Sequence, residues 1–152
     1  NIWIEAIFFT STSISFGPLL AYIMLEMDEN DGFTALKIVL AVTLMTGFIG
    51  YGDFYSFSEN SLFGYILLIS LFGLIVFNFA RLFMEISRPK VRVSAIFGAV
   101  LFSLFLLYDF DYLEKQSELG NNTWSNAVDI AFILYLDIIN LLLEILEAMG
   151  NS

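Results

Sequence analysis

Acidic and amide side chains recur on one face of the last long apolar segment of the chain. Asp137, Asn140 and Glu144 follow the i, i+3, i+7 spacing that stacks residues on one side of an α-helix. Asn126 and Ile133 continue this row toward the start of the segment. An ionisable group inside a membrane helix costs at least about 2.5 kcal/mol, so we interpret Asp137 as functional and Asn140, Glu144 and Asn126 as candidate pore-lining residues. The alternative is that these groups only hydrogen-bond to neighbouring helices, or, for Glu144 near the segment end, face solvent.

A second acid, Asp109, closes the preceding apolar segment. Gly98 lies eleven residues earlier on the same helical face, with other small residues beside it, so this face can pack closely against another helix. We expect that neighbour to be the helix that carries Asp137. Two carboxylates in a low-dielectric interior cannot both ionise cheaply, so we predict that Asp109 and Asp137 share a proton. Asp111 is interpreted as an ordinary acid of the membrane interface.

The composition of the chain requires a solvent other than water. Of its 152 residues, 59% are apolar and 14% are charged, and the mean hydropathy is +0.81. Soluble domains have about 45–50% apolar and about 25% charged residues. The sequence therefore predicts an integral membrane protein whose partner is the lipid bilayer. A net charge of −10 excludes nucleic acid as a partner, because binding to a phosphate backbone needs a basic surface.

Two residue types that often carry out chemistry are absent from the sequence. The chain has no Cys and no His, so disulfides, thiolate chemistry and histidine ligands or bases are excluded. Any chemistry or pH response must therefore use carboxylates, and we expect neither a cofactor nor an enzymatic activity.

Five segments are apolar and long enough to cross roughly 30 Å of hydrocarbon as helices. They are residues 2–25, 33–51, 62–84, 91–108 and 125–149. Residues 109–122 are predicted to be a polar connection. This pattern predicts an all-α, polytopic membrane helix bundle that forms a single domain over residues 1–152. Because the chain starts without Met and enters an apolar run at once, we expect it to be a fragment of a longer protein.

The distribution of basic residues gives an estimate of membrane orientation. One side of the predicted bundle carries five of the six, and the other side carries only Lys115. The five are Lys37, Arg81, Arg88, Lys90 and Arg92. The positive-inside rule places the connection between the third and fourth spans in the cytoplasm.

One short pattern raises an enzymatic alternative. Residues 50–53 read GxGD and residues 108–109 read YD, which resembles the signatures of intramembrane aspartyl proteases. The two elements occur in the opposite order from those enzymes, and the expected Pro-Ala-Leu element is absent. This hypothesis requires Asp53 and Asp109 to lie within a few ångströms of each other.

A longer pattern resembles the Bax inhibitor-1 family, the transmembrane Bax-inhibitor-motif proteins. Residues 102–109 (FSLFLLYD) and 134–141 (LYLDIINL) are similar to the last two helices of that family. Residues 9–19 (FTSTSISFGPL) are similar to its third helix. The family has seven spans, so the resemblance implies that the five spans here are its last five.

The resemblance implies a bundle of seven helices in which the last helix is central. It also implies a pH-sensitive calcium leak, in which the acids matching Asp109 and Asp137 form a hydrogen-bonded pair that senses protons. Eukaryotic members suppress cell death and lower the calcium content of internal stores, which implies the endoplasmic reticulum or Golgi membrane; bacterial relatives lie in the plasma membrane. The family orientation disagrees with the positive-inside estimate, so the orientation stays open.

The leading hypothesis is a calcium leak channel in which Asp109 and Asp137 gate the pore and transiently bind calcium, the permeant ion. Calcium is a hard cation that takes oxygen ligands, which carboxylates and Asn amides supply. The alternative is a non-conducting regulatory scaffold that binds other membrane proteins and uses its acids only as packing contacts.

Overall fold

The computed structural model describes residues 29–52, 54–81, 83–120 and 123–149. In chain order these residues form α1 (Glu29–Tyr51), a short 3-10 helix (Phe57–Glu59), α2 (Ser61–Ala80), α3 (Arg88–Glu118) and α4 (Trp124–Met149). The described residues contain no strand. The predicted all-α class is therefore confirmed. The first predicted span, residues 2–25, lies outside the described residues.

Local sequence determines where several helices begin and end. The Asn60 side chain accepts a hydrogen bond from the backbone N–H three residues later, at 3.1 Å, and so caps the start of α2. The Thr123 hydroxyl caps α4 in the same way, also at 3.1 Å. Pro89 lies in the first turn of α3, where its missing N–H costs nothing. After α3 the chain turns at Gly120, whose φ of +77° is the left-handed conformation that glycine adopts most readily.

The predicted end of the fourth span is wrong, because α3 continues past residue 108 to Glu118. Most of the predicted polar connection, residues 109–122, is therefore helical. Leu113, Glu114, Lys115 and Gln116 are good helix formers, and neither Gly nor Pro occurs in this stretch before Gly120. The polar residues belong to a helix that packs on its neighbours.

Two other boundaries differ from the predicted ones. Helix α1 begins at Glu29 rather than at residue 33, so Asp31 lies in its first turn, where acidic residues are favoured. Helix α2 ends at Ala80 rather than at residue 84. The N–H groups of Phe83 and Met84 both bond to the Ala80 carbonyl, at 3.1 and 3.0 Å, which closes a turn and ends the helix.

Helix α3 holds the described part of the bundle together. It contacts α1, α2, α4 and the 3-10 helix, and α1 also contacts α4. The buried core draws on all four α-helices, and its members are Ala35, Val39, Leu67, Leu74, Leu101, Phe102, Leu106, Leu141, Leu142, Ile145 and Leu146. Among the described helices, α3 is thus the one that contacts all the others; the central position of the last helix in a seven-helix bundle stays a prediction.

The outer surface of the helices is apolar. Large hydrophobic side chains are exposed on α1, α2 and α3; examples are Leu44, Phe48, Ile69, Phe72 and Val93. Helices α1 (from Asp31), α2 and α3 are long and apolar enough to cross a membrane. Because the bilayer is the solvent that such a surface needs, the protein is an integral membrane protein. Helix α4 is not among these three, so its crossing of the bilayer stays a prediction.

Candidate functional site

Asp109 and Asp137 meet where α3 packs against α4. Their carboxyl groups form a side-chain hydrogen bond with each other. Since a carboxylate has acceptors only, one of the two groups must carry a proton for this bond to form. Asp109 is half-buried and Asp137 is 8% exposed. The structure thus brings together the two acids that the sequence predicts to pair, while their role in sensing protons stays a prediction.

Asp137 also borders a cavity of about 410 Å³ between α2, α3 and α4. Its buried Oδ2 atom has no hydrogen-bond partner among the described residues. Asn140 and Glu144 line the same cavity, so three members of the predicted polar row share one space. The apolar part of the wall is formed by Leu71, Leu74, Ile75, Phe102, Phe105, Ile133 and Leu136.

Asn126 is separated from this group. It lines two other cavities, of about 270 and 560 Å³, beside the connection between α3 and α4, together with Gln116. The larger of the two also includes Asp129 and Ile133. Ile133 therefore borders both this cavity and the one that contains Asp137. The polar row of the sequence is divided at Ile133. Helices α3 and α4 line the cavities on both sides, and α2 contributes to the wall of the cavity that contains Asp137.

Gly98 allows Glu144 to approach α3 closely. A Cβ atom on Gly98 would lie 2.6 Å from Glu144 Cδ and 2.8 Å from Glu144 Oε2, which is closer than real Cβ atoms come. The predicted packing of the Gly98 face against the helix of Asp137 is confirmed. The interpretation of Glu144 as a merely solvated acid is wrong, because it is half-buried and lines the cavity.

Asn78 is a member of the cavity wall that sequence reasoning missed. It lies near the end of α2 and lines the same cavity as Asp137, Asn140 and Glu144. The sequence does contain a signal for Asn78, because it is an amide inside an otherwise apolar span. An amide in hydrocarbon is stabilised when it lies beside other polar groups.

Glu147, near the end of α4, binds two arginines that flank the connection between α2 and α3. Its Oε1 atom lies 2.8 Å from Arg81 and 3.6 Å from Arg88, and its backbone carbonyl accepts a hydrogen bond from Arg88. Glu147, which the sequence suggests is simply solvated near the end of its segment, is therefore paired with basic side chains. The pairing of Arg81 with Glu147 could not be predicted from the sequence, because the two residues are 66 positions apart.

We expect the Arg81–Glu147 pair to contribute little to stability. Both side chains are 36% exposed, and ion pairs near water are typically worth about 0–1 kcal/mol. A double-mutant cycle of Arg81→Gln and Glu147→Gln, read by thermal unfolding in detergent, is expected to give a coupling free energy below about 1 kcal/mol. A coupling several times larger would show that the pair is shielded from water in the membrane-bound protein.

Asp111 is not the interfacial acid that the sequence suggests. Its side chain is fully buried, at 0% exposure. Its Oδ2 atom accepts hydrogen bonds from the backbone N–H of Ser58, at 2.8 Å, and from the Ser58 hydroxyl, at 2.6 Å. Asp111 therefore fixes the 3-10 helix between α1 and α2 to α3. The partner lies 53 residues away, so no local pattern pointed to it.

The protease alternative and the metal prediction both concern acidic side chains. Asp53 lies outside the described residues, so its separation from Asp109 is not described. In the part of the chain that the structure describes, no group of three or more His, Cys, Asp or Glu side chains is arranged to hold a metal ion. Transient calcium binding by Asp109 and Asp137 stays a prediction.

Similarity to known proteins agrees with these observations. Residues 1–152 match the family described as "Inhibitor of apoptosis-promoting Bax1". The chain is 30% identical to a BI1-like protein of Arabidopsis thaliana, over 100% of this chain and 56% of that protein. It is 26% identical to Protein LIFEGUARD 4 of the same plant, over 96% of this chain and 56% of that protein.

A bacterial relative shows a similar level of likeness. The uncharacterized protein YrjE of Lactococcus lactis is 28% identical, over 78% of this chain and 52% of that protein. The chain spans about half the length of the curated relatives it matches. Since the family match covers every residue and the structure is a bundle of apolar helices, the chain belongs to the Bax inhibitor-1 family of membrane proteins.

Proposed function

We propose that the protein is a pH-sensitive calcium leak of the membrane, with Asp109 and Asp137 as its proton-sharing gate. The observation that carries the proposal is the side-chain hydrogen bond between these two carboxyl groups at the contact of α3 and α4. One proton holds the two helices together at this point. Its loss leaves two negative charges side by side, which repel each other and attract a cation.

The cavities beside the pair support a route for the ion. Asp137 borders the 410 Å³ cavity, and Ile133 borders both that cavity and the 560 Å³ cavity that contains Asn126 and Asp129. Polar oxygens thus lie on both sides of one apolar side chain. Calcium takes carboxylate, amide and water oxygens, and an apolar constriction stops flow by excluding water. In this proposal Ile133, which borders both cavities, is the apolar constriction of the route.

Protonation of the pair is the regulatory step of the proposal. When pH falls, the pair keeps its proton, the contact between α3 and α4 stays closed, and the attraction for calcium decreases. When pH rises, both carboxylates ionise and the contact opens.

The protein lies in the plasma membrane if it is bacterial, and in the endoplasmic reticulum or Golgi membrane if it is eukaryotic, where a calcium leak regulates calcium homeostasis and cell death.

The test is calcium flux through liposomes that contain the purified full-length protein. Asp137→Asn is expected to flatten the pH dependence of the flux, because Asn cannot release a proton. Asp109→Asn is expected to have the same effect. Asp31→Asn, an acid at the start of α1, is the matched control and should leave the pH profile unchanged.

Two outcomes would count against the leak. An unchanged pH profile in Asp137→Asn removes the pair from the gate. The absence of flux from wild-type protein, with Asp137→Asn still folded and still able to bind partner membrane proteins, would favour a non-conducting regulatory scaffold instead.

A further inference from the structure

Glu144 has a position in the cavity that the gate does not use. It lies seven residues after Asp137 on α4, which is about 10 Å further along the helix at a rise of about 1.5 Å per residue. Asn140 lies between them, and Asn78 faces the same cavity from α2. One carboxylate and two amides from two helices therefore line a cavity that Asp137 also borders.

Gly98 fixes one side of this arrangement. Because Gly98 has no side chain, the Glu144 carboxyl group can lie directly against α3. A side chain on α3 at this position would push the carboxyl group away from the helix. The Glu144 carboxyl group therefore lies against α3 at Gly98.

The neighbouring arginine is bound elsewhere. Glu144 lies within electrostatic range of both Arg81 and Glu147. The Arg81 guanidinium forms its ion pair with Glu147, at 2.8 Å. If the same guanidinium bound Glu144, it would neutralise the carboxylate that faces the cavity. Glu147 therefore restrains Arg81 and leaves the oxygens of Glu144 for another cation.

We propose that Glu144, with the side-chain oxygens of Asn140 and Asn78, forms a second binding site for a partly hydrated divalent cation. The proposal deepens the calcium leak and rests on it, since it takes this cavity to be part of the route of the ion. Calcium needs six to eight oxygen ligands, so water supplies the rest, and a single carboxylate gives weak binding. Weak binding at more than one position is what conduction requires.

The experiment measures calcium binding apart from flux. Equilibrium binding of radioactive calcium to the purified full-length protein in lipid nanodiscs is expected to show two phases. Glu144→Gln should remove one phase or weaken it about tenfold, because affinity follows the charge of the ligands. Asp137→Asn should leave that phase in place. Glu144→Asp, which keeps the charge, should preserve part of the binding.

Two further variants test the surroundings of the site. Glu147→Gln should weaken calcium binding at Glu144, because Arg81 is then released to compete for its carboxylate. Glu118→Gln, which changes an exposed acid at the end of α3, is the matched control and should bind calcium as the wild type does.

The outcomes separate this site from the gate. Unchanged binding in a folded Glu144→Gln protein overturns the proposal, and so does a wild-type protein that binds no calcium. Loss of the same single phase in both Asp137→Asn and Glu144→Gln also overturns it, since one shared site would then explain the data. Two-phase calcium binding without flux would support the Glu144 site and refute the leak. Flux that depends on pH, together with one-phase binding, would support the leak and refute the Glu144 site.

Discussion

Replacing Asp111 with alanine is expected to lower the free energy of unfolding by about 2–4 kcal/mol. The fully buried carboxyl group accepts two hydrogen bonds from Ser58, and its removal leaves the Ser58 N–H without its acceptor. A hydrogen bond contributes about 0.5–1.5 kcal/mol, and leaving a buried donor unsatisfied costs about 1–3 kcal/mol more. Thermal or denaturant unfolding in detergent measures the change.

A graded series makes this prediction specific. Ser58→Ala removes the hydroxyl bond but keeps the backbone bond, so its cost should be about half that of Asp111→Ala. Amide hydrogens of the 3-10 helix (Phe57–Glu59) should exchange faster in both variants, because this segment loses its attachment to α3. Asp129→Asn, at an exposed position of α4, serves as the control. If Asp111→Ala unfolds as the wild type does, the 3-10 helix is held by other contacts.

Replacing Gly50 with alanine is expected to destabilise the protein by about 1–3 kcal/mol, the usual cost of an added carbon in a packed interior. A Cβ atom there would lie 2.8 Å from the Leu107 carbonyl oxygen, 2.9 Å from Phe110 Cβ and 3.3 Å from Asp111 N. These atoms belong to the backbone or to its first side-chain carbon, so they move only if α3 itself moves. Helices α1 and α3 must therefore separate to accept the new carbon.

Gly73 provides the matched control for Gly50. An added Cβ there would meet nothing within 4 Å, so Gly73→Ala should leave the unfolding temperature unchanged or raise it slightly. Equal effects of the two substitutions would show that helix propensity, and not the contact between α1 and α3, determines the result.

The acid pair could be predicted from the sequence because its signals are local. Asp137 is an acid inside an apolar segment. Helical spacing places Asp109 and Gly98 on the same face of a helix, where small side chains allow close packing. Both arguments need only the energetic cost of a buried charge and the geometry of one helix. The packing of the Gly98 face against α4 follows from the same reasoning, and the structure confirms it.

Other features depend on contacts between distant segments. The sequence places Asp111 at the membrane interface because it follows the predicted end of a span at residue 108, whereas its burial depends on Ser58. The pairing of Glu147 with Arg81 likewise depends on how α2 ends relative to α4. The full length of α3 was missed because charged residues suggest a loop, although several of them are good helix formers.

The apolar exterior of α2 changes what an unfolding experiment on this protein measures. Ile66, Ile69, Phe72 and Val76 are exposed in the folded chain and stay in contact with detergent or lipid tails when the helices separate. Transfer of these side chains from water therefore contributes almost nothing to the measured free energy. The values obtained for Gly50 and Asp111 variants will report steric fit and hydrogen bonding between helices, free of the large transfer contribution that dominates the same measurement in aqueous proteins.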